Sequence, residues 1–221
     1  MGIIERKRRD RQKRVKEIID GAKDIFIAKG FKNSTMNDIA SMSDLSRRTL
    51  YLYFHNKEEI LLTIAVNTLE KLLREIDEDN RPEYSGLNQL LLIANKYSQL
   101  FLTDAGSFQF VPNFTSCVYS LGAENVIVNK CTIIVQRISQ LVYEKLELGM
   151  KDGSIRPLEN VQRTAAFIIS IMHSCIQSIE ADNDLLKIAL KIEPSDFLDE
   201  AVKVIVNYLT KGLNPVANIQ K

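Results

Sequence analysis

The chain has no tryptophan, two histidines, three cysteines and five prolines in 221 residues. Each shortage closes off a class of protein. Cys117, Cys131 and Cys175 are odd in number, far apart and without a Cys-x-x-Cys pair, which argues against a disulfide framework or a zinc site. Two histidines with no nearby cysteine or carboxylate cluster make no recognisable metal site. Five Pro and nine Gly supply little of the punctuation that many short strands need. Long apolar runs are missing as well. The strongest, Ala165 to Met172, falls well short of the roughly 20 residues that span a bilayer. The stretch Met1 to Arg14 is charged and lacks the apolar segment of a secretory signal. A cytoplasmic protein without a membrane partner is expected. Gly-x-Gly-x-x-Gly, Gly-x-x-x-x-Gly-Lys, Gly-x-Ser-x-Gly and His-Glu-x-x-His are all absent. Nothing points to catalysis, a metal or a cofactor.

What is present is the material of a soluble globular chain. Apolar residues make up 45% and charged residues 26%, enough to bury a core and too apolar for disorder. The net charge of +1 conceals an asymmetry. Residues 1–57 hold 14 Lys and Arg against seven Asp and Glu, and residues 58–221 hold 15 against 21. A basic N-terminal quarter joined to an acidic remainder suggests that one end meets a polyanion.

Apolar spacing predicts an all-α fold. Val15, Ile18, Ile19, Ala22, Ile25 and Phe26 fall at helical intervals, with Gly30 as a stop. Thr35-x-x-Asp38 is a capping-box-like start for a short helix over 36–42. The turn Ser43-Asp44-Leu45 follows, and Ser46 is the natural N-cap of a second short helix, 46–53. Asn56-x-x-Glu59 opens a long helix over 57–78. Further helices are expected over 86–102, 124–149, 159–180 and 195–212. The aromatic-rich stretch 105–121 is interrupted by Pro112.

Two short helices joined by a turn of about four residues, inside the basic quarter, have helix-turn-helix spacing. Leu50 and Phe54 face inward, and Arg47, Arg48, Thr49, Tyr51 and Tyr53 project elsewhere. A helix of this kind fits the roughly 12 Å major groove. Arg47 and Arg48 match guanine O6 and N7, and the hydroxyls of Thr49 and the tyrosines suit phosphate. Lys57, at a helix start, is also placed for phosphate. The arm Arg6-Lys7-Arg8-Arg9, with Arg11, Lys13, Arg14 and Lys16, precedes the first helix. It reads as a flexible tail for the DNA backbone or minor groove.

The pattern Phe26-x-x-x-Gly30-Phe31, Thr35-Met36-x-Asp38-Ile39-Ala40, Leu45-Ser46, Thr49-Leu50-Tyr51-x-Tyr53-Phe54-x-x-Lys57-Glu58 resembles the TetR family of bacterial transcriptional regulators, over residues 14–70. The resemblance implies that Thr35 contacts phosphate and that Asn37 reaches a base or phosphate. It implies that Arg47, Arg48 and Tyr51 face the groove, while Thr49, Tyr53 and Lys57 hold the backbone. Ser46, the N-cap, belongs to the same set. Asp44 stands where the family usually has Gly, and Asp tolerates a left-handed backbone better than most residues. Arg48 also stands where Gly is common.

The resemblance further implies a DNA-binding domain over 1–57 and a helical effector-binding and dimerisation domain over 58–221. Its last two long helices would pair with those of a second copy, and the pair of reading heads would require a palindromic operator. Phe167, Ile168, Ile171 and Met172 on one helix, with Ala201, Val204, Ile205 and Tyr208 on the other, are the expected interface. An apolar or amphipathic effector is expected among Phe101, Phe108, Phe110, Phe114, Cys117, Tyr119, Tyr143 and His173. The expected function is a homodimeric repressor released from DNA by that effector. Two alternatives are a DNA-binding protein without an effector and a helical adaptor with a vestigial motif.

Overall fold

A computed structural model describes residues 2–79, 81–104, 114–181 and 185–212. Among the described residues every regular element is helical. The helices are α1 (Ile3–Lys29), α2 (Met36–Met42), α3 (Arg47–Tyr51), α4 (Lys57–Glu78) and α5 (Gly86–Thr103). They continue as α6 (Phe114–Leu121), α7 (Val126–Asp152), α8 (Val161–Ala181) and α9 (Pro194–Lys211), with a π turn over Leu185–Ala189 between the last two. All the expected long helices are present, each within a few residues of its predicted ends. The π turn was not foreseen. The basic arm is not the flexible tail expected of it: helix α1 already begins at Ile3, so these residues are helical.

Local chemistry accounts for the ends. Gly30 ends α1 with φ 74°, a left-handed backbone that glycine adopts without a Cβ clash. Thr35 and Asp38 form a reciprocal capping box: Asp38 N–H donates to Thr35 Oγ1 at 3.2 Å, and Thr35 N–H donates to Asp38 Oδ2 at 2.9 Å. Ser46 caps α3 by accepting from Thr49 N–H at 3.1 Å. Asn56 caps α4 in the same way through Glu59 N–H at 2.8 Å.

The chain folds as two compact units. The first runs through Thr68 and takes in the described residues 114–131; the second contains 69–104, without residue 80, and the described residues from 132 onward. The sequence boundary at 57/58 marks the start of α4. By packing, the division lies within that helix, because its first three turns bury Ile60, Leu61, Leu62, Ile64 and Ala65 in the first unit.

In the first unit α1 packs on α2 and α2 on α3, around Ile18, Ala22, Phe26, Ile39 and Leu50. Gly21 has a packing reason: a Cβ there would stand 2.7 Å from Ser43 Oγ, at the end of α2. In the second unit α9 packs on α8 and on α5. There α5 and α7 touch backbone to backbone. A Cβ on Gly86 would lie 2.1 Å from the Gly149 nitrogen. The start of α5 is held at the same crossing, with Gly86 N–H donating to Asp152 Oδ2 at 2.7 Å and Leu87 N–H to Ser154 Oγ at 3.1 Å.

Candidate nucleic-acid interface

The turn between α2 and α3 is set by Asp44, whose φ of 53° is left-handed. Leu45 N–H closes it by donating to Ala40 O at 2.9 Å. Leu50 is fully buried and Phe54 nearly so, as their one-turn spacing predicts. That fixes the rotation of α3 and leaves Arg47, Arg48 and Tyr51 exposed, with Ser46 exposed at its start and Asn37 exposed on α2. Arg47 lies over the Tyr51 ring, 5.6 Å from its centre. This contact holds a flexible cation beside an aromatic tip.

The hydroxyls behave differently. Thr35 Oγ1 both accepts from Asp38 N–H and donates to Asp38 Oδ2 at 2.7 Å. Ser46 Oγ and Thr49 Oγ1 are 2.8 Å apart. All three serve the caps first. Asp38 also pairs with Lys29. The Lys29 contact, then the Thr35 hydrogen bonds, hold the Asp38 carboxyl at about 2.

Lys57 has partners that its place in the sequence does not announce. Its ammonium donates to the carbonyls of Phe31, Lys32 and Ser34 at 2.8, 3.0 and 2.9 Å. It also sits 4.7 Å from the centre of the Phe31 ring. An ammonium has three N–H donors, and all three are committed inward, which makes Lys57 a clasp between the start of α4 and the loop after α1. Tyr53 is half-buried, with Arg11 of α1 over its ring at 5.1 Å. Sequence spacing gave no sign of either contact, because each joins segments far apart in the chain.

The second unit holds an apolar cavity of about 60 Å³. Leu72 of α4, Leu87 and Ile93 of α5, Val142 of α7, Met172 of α8 and Ile205 of α9 are in its wall, and among the described residues Tyr97 brings the one hydroxyl. The expected pocket residues do not line it. Phe101 is buried elsewhere on α5, Cys117 is buried in the first unit, and Tyr119 is 84% exposed. Tyr143 donates its hydroxyl to Glu147 Oε1 at 3.2 Å beside an open depression. His173 is half-buried, and burial pushes its imidazole below its ordinary value. Phe108 and Phe110 lie outside the described residues, as does the side chain of Phe114.

The cavity instead takes residues expected at the dimer interface. Ile168, Met172 and Ile205 are buried and face inward. Phe167 and Val204 are 55% and 53% exposed, and Tyr208 meets Phe167 edge to face at 6.5 Å. Ile171 and Ala201 are half-buried. Two cysteines are inert by environment: burial raises the thiols of Cys117 to about 11 and Cys131 to about 12, far from thiolate reactivity. Among the described residues no cluster of His, Cys, Asp and Glu could hold a metal, and no helix is long and apolar enough to cross a membrane.

Fold and site together define an all-helical protein with a helix-turn-helix DNA-reading head. Residues 18–64 match the family model of the bacterial regulatory proteins, tetR family. Over 170 residues it is 25% identical to the uncharacterized HTH-type transcriptional regulator YfiR of Bacillus subtilis, covering 76% of this chain and 80% of that one. It is 30% identical over 96 residues to the fatty acid metabolism regulator protein of the same organism, covering 42% of this chain and 50% of the relative. A putative TetR-family regulator from Syntrophomonas wolfei shares the fold at a TM-score of 0.67 and 19% identity, covering 93% of this chain and 98% of that one. FadR from Bacillus subtilis, solved in complex with stearoyl-CoA, does so at 0.66 and 19%, covering 90% and 98%. These relatives are transcriptional regulators rather than enzymes.

Proposed function

We propose that the chain is a homodimeric, sequence-specific DNA-binding repressor whose grip on a palindromic operator is loosened by a small apolar or amphipathic effector. The observation that carries this reading is the rotation of α3. Leu50 and Phe54 anchor one face, and Arg47, Arg48 and Tyr51 stand exposed together on the rest, in the arrangement that reads base edges. The apolar stripes of Phe167 and Ile171 on α8, and of Ala201, Val204 and Tyr208 on α9, support pairing with a second copy.

The cavity supports the effector. It is far below the few hundred Å³ of an ordinary small-molecule pocket. A ligand longer than a few carbons must therefore push its walls apart, and Leu72 puts α4 among those walls. Effector binding shifts the protein toward a state in which α4 has moved, in proportion to its differential affinity for that state. The relatives that regulate fatty acid metabolism or hold stearoyl-CoA suit an apolar tail in such a cavity. Selection of bound duplexes from a random pool at two salt concentrations tests the DNA reading. A palindromic consensus is expected; salt-sensitive binding without sequence enrichment would overturn it.

A further inference from the structure

The first turns of α1 contribute nothing to the core. Residues 4–13 are all exposed, and Ile18 is the first buried side chain of the helix. At 1.5 Å per residue those ten residues form about 15 Å of helix projecting from the packed domain. They hold Arg6, Lys7, Arg8, Arg9, Arg11 and Lys13 against Glu5 and Asp10.

Helical register sorts these charges onto two sides. From Ile18 toward the N-terminus, the residues on the core-facing side are Val15 and Arg14, then Arg11, then Lys7 and Arg8. The face that is apolar inside the domain becomes cationic as it clears it. Arg6, Arg9 and Lys13 occupy the opposite side. On the core-facing side Arg11 lies over Tyr53, next to α3, at 5.1 Å. Lys7 and Arg8 come one turn later on that face, and neither has an ion-pair or hydrogen-bond partner among the described residues.

From this placement we infer a second DNA-contact site. Lys7 and Arg8 hold backbone phosphates of the duplex that α3 reads, flanking the half-site, and Arg11 is a positioning residue that fixes α1 against Tyr53. The inference rests on the DNA-binding reading above. Phosphate is the partner that fits, because the face offers two cations and, among the side chains described beyond them, Ile4 as the one apolar group; a lipid surface needs a broad apolar face. The contact is made by a preformed helix, so it adds affinity without the cost of ordering a tail.

The test compares two doubly substituted full-length chains, K7Q/R8Q and R6Q/R9Q, on the operator selected by the wild type. Each removes two charges per chain, so any diffuse electrostatic effect is the same. Circular dichroism checks that both keep their helix content. For K7Q/R8Q the slope of log affinity against log salt is expected to fall by about two per chain, at roughly 0.9 for each phosphate that is no longer neutralised. R6Q/R9Q is expected to change it by less than half as much, and base preference stays the same in both. Equal falls in the two chains, or no fall in either, overturn the site while leaving the wild type's DNA binding intact. A wild type that binds no duplex overturns the underlying reading instead.

Discussion

Lys57 at the start of α4 and Phe31 in the loop after α1 are joined twice, through the Phe31 carbonyl at 2.8 Å and through its ring at 4.7 Å. One ammonium thereby closes a loop of open carbonyls and ties α4 to the reading head. Lys57→Met keeps most of the unbranched side chain, one atom shorter, and removes the charge. It is expected to destabilise the protein by about 1–3 kcal/mol, the cost of stranding acceptors that a charged donor had served. Urea unfolding measures this. The salt slope of DNA binding should stay at the wild-type value; a fall of about one per chain with no change in stability would return Lys57 to the phosphates.

Arg48→Ala is expected to cost about 1–3 kcal/mol on the selected operator and to relax preference at one base pair in each half-site. Competition binding with single-base operator variants reads both. Equal weakening on every sequence would show that Arg48 holds the backbone rather than a base.

The Asp38 carboxyl titrates at about 2 in the fold against an ordinary 3.8, because Lys29 and Thr35 favour its ionised form. A depressed folded value stabilises the protein at pH above 3.8 and loses that contribution as pH falls toward 2. The capping box of α2 should therefore persist through mildly acidic conditions and come apart only in that window. Carboxyl-carbon NMR of Asp38 follows it directly, and Asp38→Asn should abolish the acid-dependent step. A midpoint near the ordinary value would show that the Lys29 pair does not form in solution.

Gly86→Ala places a methyl group on the Gly149 backbone and is expected to destabilise the fold by about 1–3 kcal/mol or more. Gly30→Ala meets no atom within 4 Å, so its cost is backbone strain alone, about 1–3 kcal/mol at φ 74° and ψ 153°, a region that belongs almost wholly to glycine. Thermal unfolding of both chains separates crowding from backbone strain. A Gly86→Ala chain as stable as the wild type would mean that the α5–α7 crossing relaxes.

Ala94 lines the cavity, and Ala94→Leu should fill it. A fatty acid that raises the melting temperature of the wild type through binding to the folded state is expected to leave this variant unmoved, with operator affinity unchanged. An undiminished shift in the variant would place the ligand elsewhere.

Much of this molecule was legible in the chain because its signals are local. Thr35 with Asp38, Ser46 with Thr49 and the tolerance of Asp44 for a left-handed turn are all decided within three residues, and the structure shows each of them. The inward pair Leu50 and Phe54 followed from one-turn spacing. Contacts between distant segments were not legible. For Lys57 the sequence shows its charge but not the carbonyls of residues 31, 32 and 34 in front of it. Aromaticity points Phe101, Tyr143 and His173 to a pocket, whereas the cavity is walled by aliphatic side chains such as Leu72, Leu87 and Ile205. The apolar circumference of α8 makes Ile168 and Met172 interface candidates as much as core ones, and composition alone does not say which side meets a partner.

The 22 residues of α4 form one unbroken rod of about 33 Å that belongs to both compact units. There is consequently no peptide bond at which the protein divides cleanly into two folded fragments. A piece ending at residue 57 would lose Ile60, Leu61 and Ile64 from beneath its reading head. A piece ending at 68 would still lack the stretch near 114–131 that completes its core. The reading head is therefore expected to be isolated whole or not at all, and a protease that nicks α4 should extinguish DNA binding in a single event.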